Sequence, residues 1–239
     1  MNGFMAALLI AAFIWAISAL LFLRYRVKAF GKRKLFAKAA GNTRDGAIYA
    51  FTRGMLPGAK ENVRENLTGY ALGVAYHTGI FASFVILARY IICAYSLPFV
   101  FHVPPSITYL AHTLCVLLLA LGAAAGVSLL VRRVFSHTLR GLSCPDDYIS
   151  NILATATIAL ALASLLTPQT SLTAAPEFPP ASGLALRLTQ AWLISAIIFF
   201  VYIPIGKTRH CLFFFITRYN LGAFFGRRGC MPPQKKGGA

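Results

Sequence analysis

Histidines are the residues of this chain with the most distinctive chemistry, because an imidazole can ligate a metal or transfer a proton near neutral pH. No nucleophile with an adjacent base and no phosphate- or dinucleotide-binding loop accompanies them. The five histidines are His77, His102, His112, His137 and His210. We therefore expect metal ligation or proton transfer from this chain, and substrate chemistry of any other kind on another subunit.

His77 is the strongest candidate ligand. Gly69 and Gly73 precede it at spacings of four inside an apolar stretch, so the three residues share one helical face. A glycine track of this kind lets a flat, bulky group approach the backbone while the imidazole reaches its metal. The alternative is that the glycines pack two helices together and that His77 bonds to a neighbour. The residues by themselves leave both interpretations open.

His210 follows the last apolar stretch of the chain, beyond a proline at position 204 that can kink a helix. The depths of His77 and His210 are compatible if the last helix tilts or continues to Ile216. Two histidines from different helices at similar depth can ligate a b-type haem on both faces without any covalent attachment motif. The pattern permits such a haem.

The other candidates each have an ordinary explanation beside a functional one. Arg89 stands three turns beyond His77, where it either extends to lipid headgroups or contacts a haem propionate or a quinone. His102 and His112 flank the start of the third apolar stretch. They are either interfacial residues in contact with headgroups, or one of them accepts a proton from a quinol or ligates a second haem. His137 is interpreted as a solvated loop residue.

The elements that must position these residues cross a membrane. Hydrophobic residues make up 58% of the 239 residues and mean hydropathy is +0.68, which excludes an ordinary soluble domain. Lys and Arg outnumber Asp and Glu by 23 to 6. These cations flank apolar stretches, so they indicate membrane topology, and no nucleic-acid partner is expected.

Five stretches are long enough to span a bilayer as helices, for which about 20 apolar residues are needed. The fold class predicted is all-α, an integral membrane bundle of five transmembrane helices. The predicted spans are roughly 4–23, 68–94, 106–131, 149–167 and 187–206, and the last helix either ends there or continues through Phe213 to Ile216.

The cations predict the orientation of the bundle. Of the 23, 21 fall in the first and third connections and the tail, which places these segments in the cytoplasm, the N-terminus outside and the C-terminus inside. The predicted domains are a five-helix membrane domain, 1–216, and a basic cytoplasmic tail, 217–239. The inner face is where a soluble partner should dock.

The chain resembles a family, the gamma subunit of respiratory nitrate reductase and its relatives among the membrane cytochromes b of sulfate-reducer and methanogen complexes. The resemblance covers nearly the whole chain and rests on motifs in the same order. They are Arg53-Gly-Met-Leu-Pro57, Tyr76-His77-Thr-Gly-Ile80, Leu130-Val-Arg-Arg-Val-Phe-Ser136, Ile205-Gly-Lys-Thr-Arg-His210 and Phe215-Ile-Thr-Arg-Tyr219.

The resemblance implies axial haem ligands. His77 matches the first ligand on the family's second helix and His210 the last ligand on its fifth helix, which together hold the haem nearest the cytoplasm. The positions of the other two ligands carry Leu87 and either Thr189 or Gln190. One haem b is therefore expected, and a second only if His102 or His112 serves it.

The function implied is that of a haem b subunit in a complex of anaerobic respiration, located in a prokaryotic cytoplasmic membrane. It would transfer electrons between a quinone, usually menaquinone, and a cytoplasmic iron–sulfur protein of heterodisulfide-reductase-like or ferredoxin-like type, beside other membrane subunits. A haem-free membrane anchor of such a complex is the alternative. A cation-coupled transporter is disfavoured, because all six carboxylates lie in or near loops.

Overall fold

A computed structural model of the chain describes residues 2–29, 38–56, 63, 65–95, 105–167 and 183–232. Most of these residues are helical, with no strand among them, so the predicted all-α class is confirmed. The helices are α1 (Asn2–Ala29), α2 (Thr43–Phe51), α3 (Leu67–Ala94), α4 (Pro105–Phe135), α5 (His137–Gly141), α6 (Pro145–Leu166), α7 (Gly183–Tyr202) and α8 (His210–Arg227), with 3₁₀ turns at Arg53–Met55 and Lys207–Arg209.

Five of these helices are long and apolar enough to cross a membrane, as predicted. The spans are Gly3–Ala29, Leu67–Ile92, Tyr109–Phe135, Pro145–Leu166 and Gly183–Tyr202. A helix satisfies its own backbone hydrogen bonds, which is why apolar stretches of this length adopt it in lipid. The chain is a multi-pass membrane protein, and the direction in which it crosses stays a prediction.

Of the two alternatives for the fifth span, the structure excludes the continuation to Ile216. The helix α7 ends at Tyr202, and a separate helix, α8, begins at His210. Pro204 explains the break, because proline lacks the N–H of the helical ladder and its ring clashes with the preceding turn. The predicted domain boundary between residues 216 and 217 falls inside α8.

The chain divides into two compact units. The membrane unit comprises Met1–Ala19 and Thr68–Lys207, and the cationic unit comprises Leu20–Leu67 and Thr208–Ala239. In the membrane unit α7 supplies much of the core, and its Trp192, Leu193 and Ala196 are almost fully buried. Outward side chains such as Leu121 stay apolar and exposed, as lipid contact requires.

The helices α3 and α4 of the membrane unit meet backbone to backbone at a pair of glycines. A Cβ added to Gly79 would lie 2.6 Å from the Cα of Gly122, closer than real Cβ contacts allow. Small residues at such a crossing allow the close van der Waals packing on which helix association in lipid depends. This crossing pairs the two helices antiparallel, with position 79 facing position 122.

The cationic unit is built around a second glycine contact, between α2 and α8. A Cβ on Gly46 would overlap with Gly222 O and Gly226 Cα. Asn42 caps α2 by accepting from the backbone N–H of Arg44 at 2.9 Å, which satisfies one of the free amides of the first turn. The sequence therefore brings residues of the first connection against residues of the tail.

Candidate functional site

His77 lies within the second membrane-spanning helix on its exposed side. Its Nδ1 donates a hydrogen bond to the carbonyl oxygen of Gly73 one turn earlier, at 2.7 Å. A carbonyl only accepts, so the ring has its proton on Nδ1 in this bond. This tautomer is the one in which Nε2 ligates a metal while Nδ1–H is oriented by a backbone carbonyl.

The glycine track beside His77 has an open side. A Cβ added to Gly73 would meet no other atom of the described residues within 4 Å, in contrast to Gly79 two turns further on. Among the described residues, no helix packs against the track at Gly73. Gly69 is half-buried in the same helix.

The residue before His77 belongs to a polar network in the core of the membrane unit. The hydroxyl of Tyr76 donates to the carbonyl oxygen of Asn151 at 3.1 Å and accepts from Thr155 Oγ1 at 3.2 Å. Thr155 Oγ1 also lies 3.0 Å from the side-chain oxygen of Asn151. These bonds fix the turn of α3 that carries His77 to α6. The sequence carries no signal of this network, because 75 residues or more separate Tyr76 from its partners.

Arg89 and His112, which the sequence presents separately, come together between α3 and α4. The charge of Arg89 is near enough to act on both His112 and Cys115. Their positions follow from the Gly79–Gly122 crossing, because ten residues along each antiparallel helix lead from the glycines to this pair. His112 Nδ1 is buried and has no hydrogen-bond partner in the part of the chain that the structure describes.

His210 is the first residue of α8, is exposed, and belongs to the cationic unit. It is not on the fifth membrane-spanning helix, which ends at Tyr202. His77 belongs to the membrane unit, so the predicted pairing joins residues of two units and stays a prediction.

Two positions carry other residues where the resembled family has its second pair of ligands. Leu87 is buried. The hydroxyl of Thr189 donates to Ala185 O at 2.9 Å within its own helix.

Of the remaining polar residues, the structure describes His137 and Arg187. His137 is exposed at the start of the short helix α5, consistent with a solvated residue. His102 lies outside the described residues. Arg187, at the start of α7, is exposed.

A cluster of ion pairs joins the ends of α4, α6 and the turn after α7. Asp147 accepts from Lys207 Nζ at 2.6 Å and lies 3.1 Å from Arg133 Nη1. Asp146 accepts from the backbone N–H of Lys207 at 2.7 Å. The hydrogen bond to Asp147 raises the pKa of Lys207 above its usual value. Two acidic residues after Pro145 are a recognisable helix start, but the cationic partners of Asp147 are 14 and 60 residues away.

No group of three or more His, Cys, Asp and Glu that could hold a metal ion occurs among the described residues. Axial haem ligation needs only one side chain on each face of the ring, so it does not depend on such a group. Comparison with protein-family profiles, curated proteins and solved structures gives no match to this chain.

Proposed function

We propose that this protein is a haem b-carrying membrane subunit of a respiratory redox complex. In this proposal it transfers electrons between the quinone pool, with menaquinone as the expected quinone, and a cytoplasmic iron–sulfur protein. The observation that carries the proposal is His77, a histidine at membrane depth whose Nδ1–H is held by Gly73 O beside an open glycine face.

The cost of placing a polar side chain in lipid supports a role for His77. An exposed imidazole within a membrane span faces hydrocarbon unless something covers it, and intramembrane ionisable residues are functional candidates for that reason. The residues also fit a haem: Nε2 of His77 would be the axial ligand, and Gly73 has no side chain to block a flat ring. A bound haem supplies one-electron transfer. His210 stays the predicted second ligand on the grounds of the resemblance.

Arg89 and His112 are the residues that we assign to the quinone. Both bear groups that hydrogen-bond to carbonyl or hydroxyl oxygens, and His112 Nδ1 is buried beside the charge of Arg89. Twelve residues of helix separate Arg89 from His77, about 18 Å along the axis. The two polar sites of α3 therefore lie in different halves of the span.

The decisive experiment measures haem per chain. Purified wild-type protein should give a b-type pyridine haemochrome spectrum, and His77→Ala should lose at least one haem per chain. Imidazole added to His77→Ala should restore part of the spectrum, which separates loss of a ligand from loss of the fold.

Two further variants define the site. Gly73→Leu should lower haem content while the protein stays folded, because the new side chain occupies the open face. His137→Ala, a histidine outside the spans, should retain full haem content and serves as the control. A wild-type chain without haem, or His77→Ala with full haem content, would refute the proposal and leave the haem-free anchor.

The quinone assignment has its own test. Arg89→Gln should slow reduction of the haem by a menaquinol analogue and leave its reduction by dithionite unchanged. Arg187→Gln removes an exposed cation from the start of another helix and should change neither rate. Equal rates in wild-type and Arg89→Gln proteins would exclude Arg89 from the quinone site.

A further inference from the structure

The two units of the chain differ sharply in charge. The cationic unit holds 17 of the 23 Lys and Arg and three of the six carboxylates, for a formal net charge of +14. The membrane unit holds the other six cations and three carboxylates, for +3. Anionic ligands therefore favour the cationic unit by charge alone.

A groove of about 520 Å³ lies within the cationic unit, between α2 and α8. Its lining is polar at the beginning of α2 and apolar further along. The polar residues there are Asn42, Thr43 and Arg44. The apolar part is formed by Ala47, Ile48 and Phe51, with Tyr219 of α8 opposite and Thr52 at the end. An elongated amphipathic molecule with an anionic end matches this order.

The helix α8, which contributes Tyr219 to the groove, carries further exposed aromatic side chains, and Phe215 stacks on the groove residue Phe51. In α8, Phe214, Phe215 and Phe224 are between 38% and 57% exposed. The guanidinium of Arg218 lies 5.7 Å from the ring centre of Phe214, and that of Arg228 lies 4.6 Å from Phe224. Aromatic rings with neighbouring cations are typical of the headgroup level of a membrane, where a ring contacts lipid and a cation contacts phosphate.

The chain path favours a lipid over other anions. The cationic unit begins within α1 and gives way to α3 at Leu67, and both helices are membrane spans. Seven residues separate the end of α7 from the start of α8. Two of the three connections of this unit to the rest of the chain thus lie at or just beyond the end of a membrane span, and the third lies within α1.

We propose that the groove between α2 and α8 binds an anionic phospholipid, with its phosphate at Arg44 and an acyl chain along Ile48, Phe51 and Tyr219. The backbone N–H of Arg44 is already bonded to Asn42, so the guanidinium recognises the phosphate. The neighbouring Asp45 does not line the groove. This inference is independent of haem binding.

The test titrates the detergent-purified full chain with phosphatidylglycerol or phosphatidylcholine and counts bound lipids by native mass spectrometry. Wild-type protein should retain phosphatidylglycerol preferentially. Arg44→Gln should weaken that retention about fivefold, the effect of one cation near a lipid headgroup. Ile48→Asn should weaken retention of both lipids, because it removes an apolar contact. Arg140→Gln, an exposed cation of the membrane unit, should behave like wild type.

Other outcomes would overturn the proposal. Equal retention of the two lipids would show that the groove has no preference for an anionic headgroup. Equal losses of phosphatidylglycerol in Arg44→Gln and Arg140→Gln would attribute the preference to general surface charge. Full displacement by inorganic phosphate would assign the site to a free anion. A dimer that is abolished by Arg44→Gln, without any lipid adduct, would assign the groove to a second copy of the chain.

Discussion

The two units each depend on a close glycine contact between helices, but the helices differ in what else supports them. At the Gly79–Gly122 crossing both helices are long membrane spans, which keep their backbone hydrogen bonds in lipid with or without each other. At the Gly46 contact, α2 has only nine residues, and isolated helices of that length are marginal in water. Packing therefore orients helices in the membrane unit and is required for a helix to exist in the cationic unit.

The largest effect should follow from a side chain at Gly46. Gly46→Val would overlap with backbone atoms of α8, which cannot rotate away, so the two helices must separate at a cost above about 3 kcal/mol. Hydrogen exchange should show loss of protection over residues 43–51. Ile48→Val, on the exposed side of the same helix, should leave protection intact. Retained protection in Gly46→Val would show that α2 does not need α8.

A smaller effect is expected at the corresponding glycine of the membrane unit. Gly79→Val should destabilise the protein by about 1–3 kcal/mol, because α3 and α4 can shift apart while each stays helical. The measurement is unfolding in a series of detergent mixtures. Val85→Ile, on an exposed side of the same helix, is the control and should unfold like wild type. Equal destabilisation by the two variants would mean that the two sides of α3 do not differ.

The ion pairs of the membrane unit should contribute less than its glycine crossing. Asp147→Asn weakens the bonds to Lys207 and Arg133 and alters the cap of α6, in which Asp147 accepts from Cys144 N at 2.9 Å. We expect a loss of about 1–2 kcal/mol. Asp45→Asn, a carboxylate of the cationic unit, provides the comparison. A larger loss of stability in Asp45→Asn than in Asp147→Asn would contradict the assignment of this contribution to the ion pairs of Asp147.

The same ion pairs predict a pH dependence. The pKa of Lys207 is raised in the folded protein, so its contribution is complete below the unfolded lysine pKa of about 10.4 and is lost as pH rises through the folded value. Thermal unfolding of wild-type protein should show this alkaline loss. In Asp147→Asn the loss should be smaller. An identical alkaline profile in both proteins would exclude the pair as its source.

The smallest effect is expected in the polar network beside His77. Tyr76→Phe removes one hydroxyl from its bonds to Asn151 and Thr155. Hydrogen bonds of this kind in membrane proteins average about 0.6 kcal/mol. Unfolding should therefore shift slightly, and by less than in Gly79→Val. A shift as large as that of Gly79→Val would mean that the network, and not the glycine crossing, holds the helices of this unit together.

The sequence by itself determined the class of the protein and its five membrane spans. Transfer of an apolar stretch into lipid is a sum of contributions from neighbouring residues, so hydropathy along the chain is sufficient to predict it. The helical spacing of Gly69, Gly73 and His77 is likewise a local feature of the sequence. Hydropathy left open whether the helix continues beyond Tyr202, and Pro204 ends it before His210.

Only the tertiary structure decided which of these residues act together. It separated the open side at Gly73 from the packed side at Gly79, placed Arg89 beside His112, and joined Asp147 to Lys207 across 60 residues. It also brought α2 and α8 together in one cationic unit. These outcomes depend on contacts between residues that are distant in the chain, and such contacts leave no periodic or compositional signal in a single sequence.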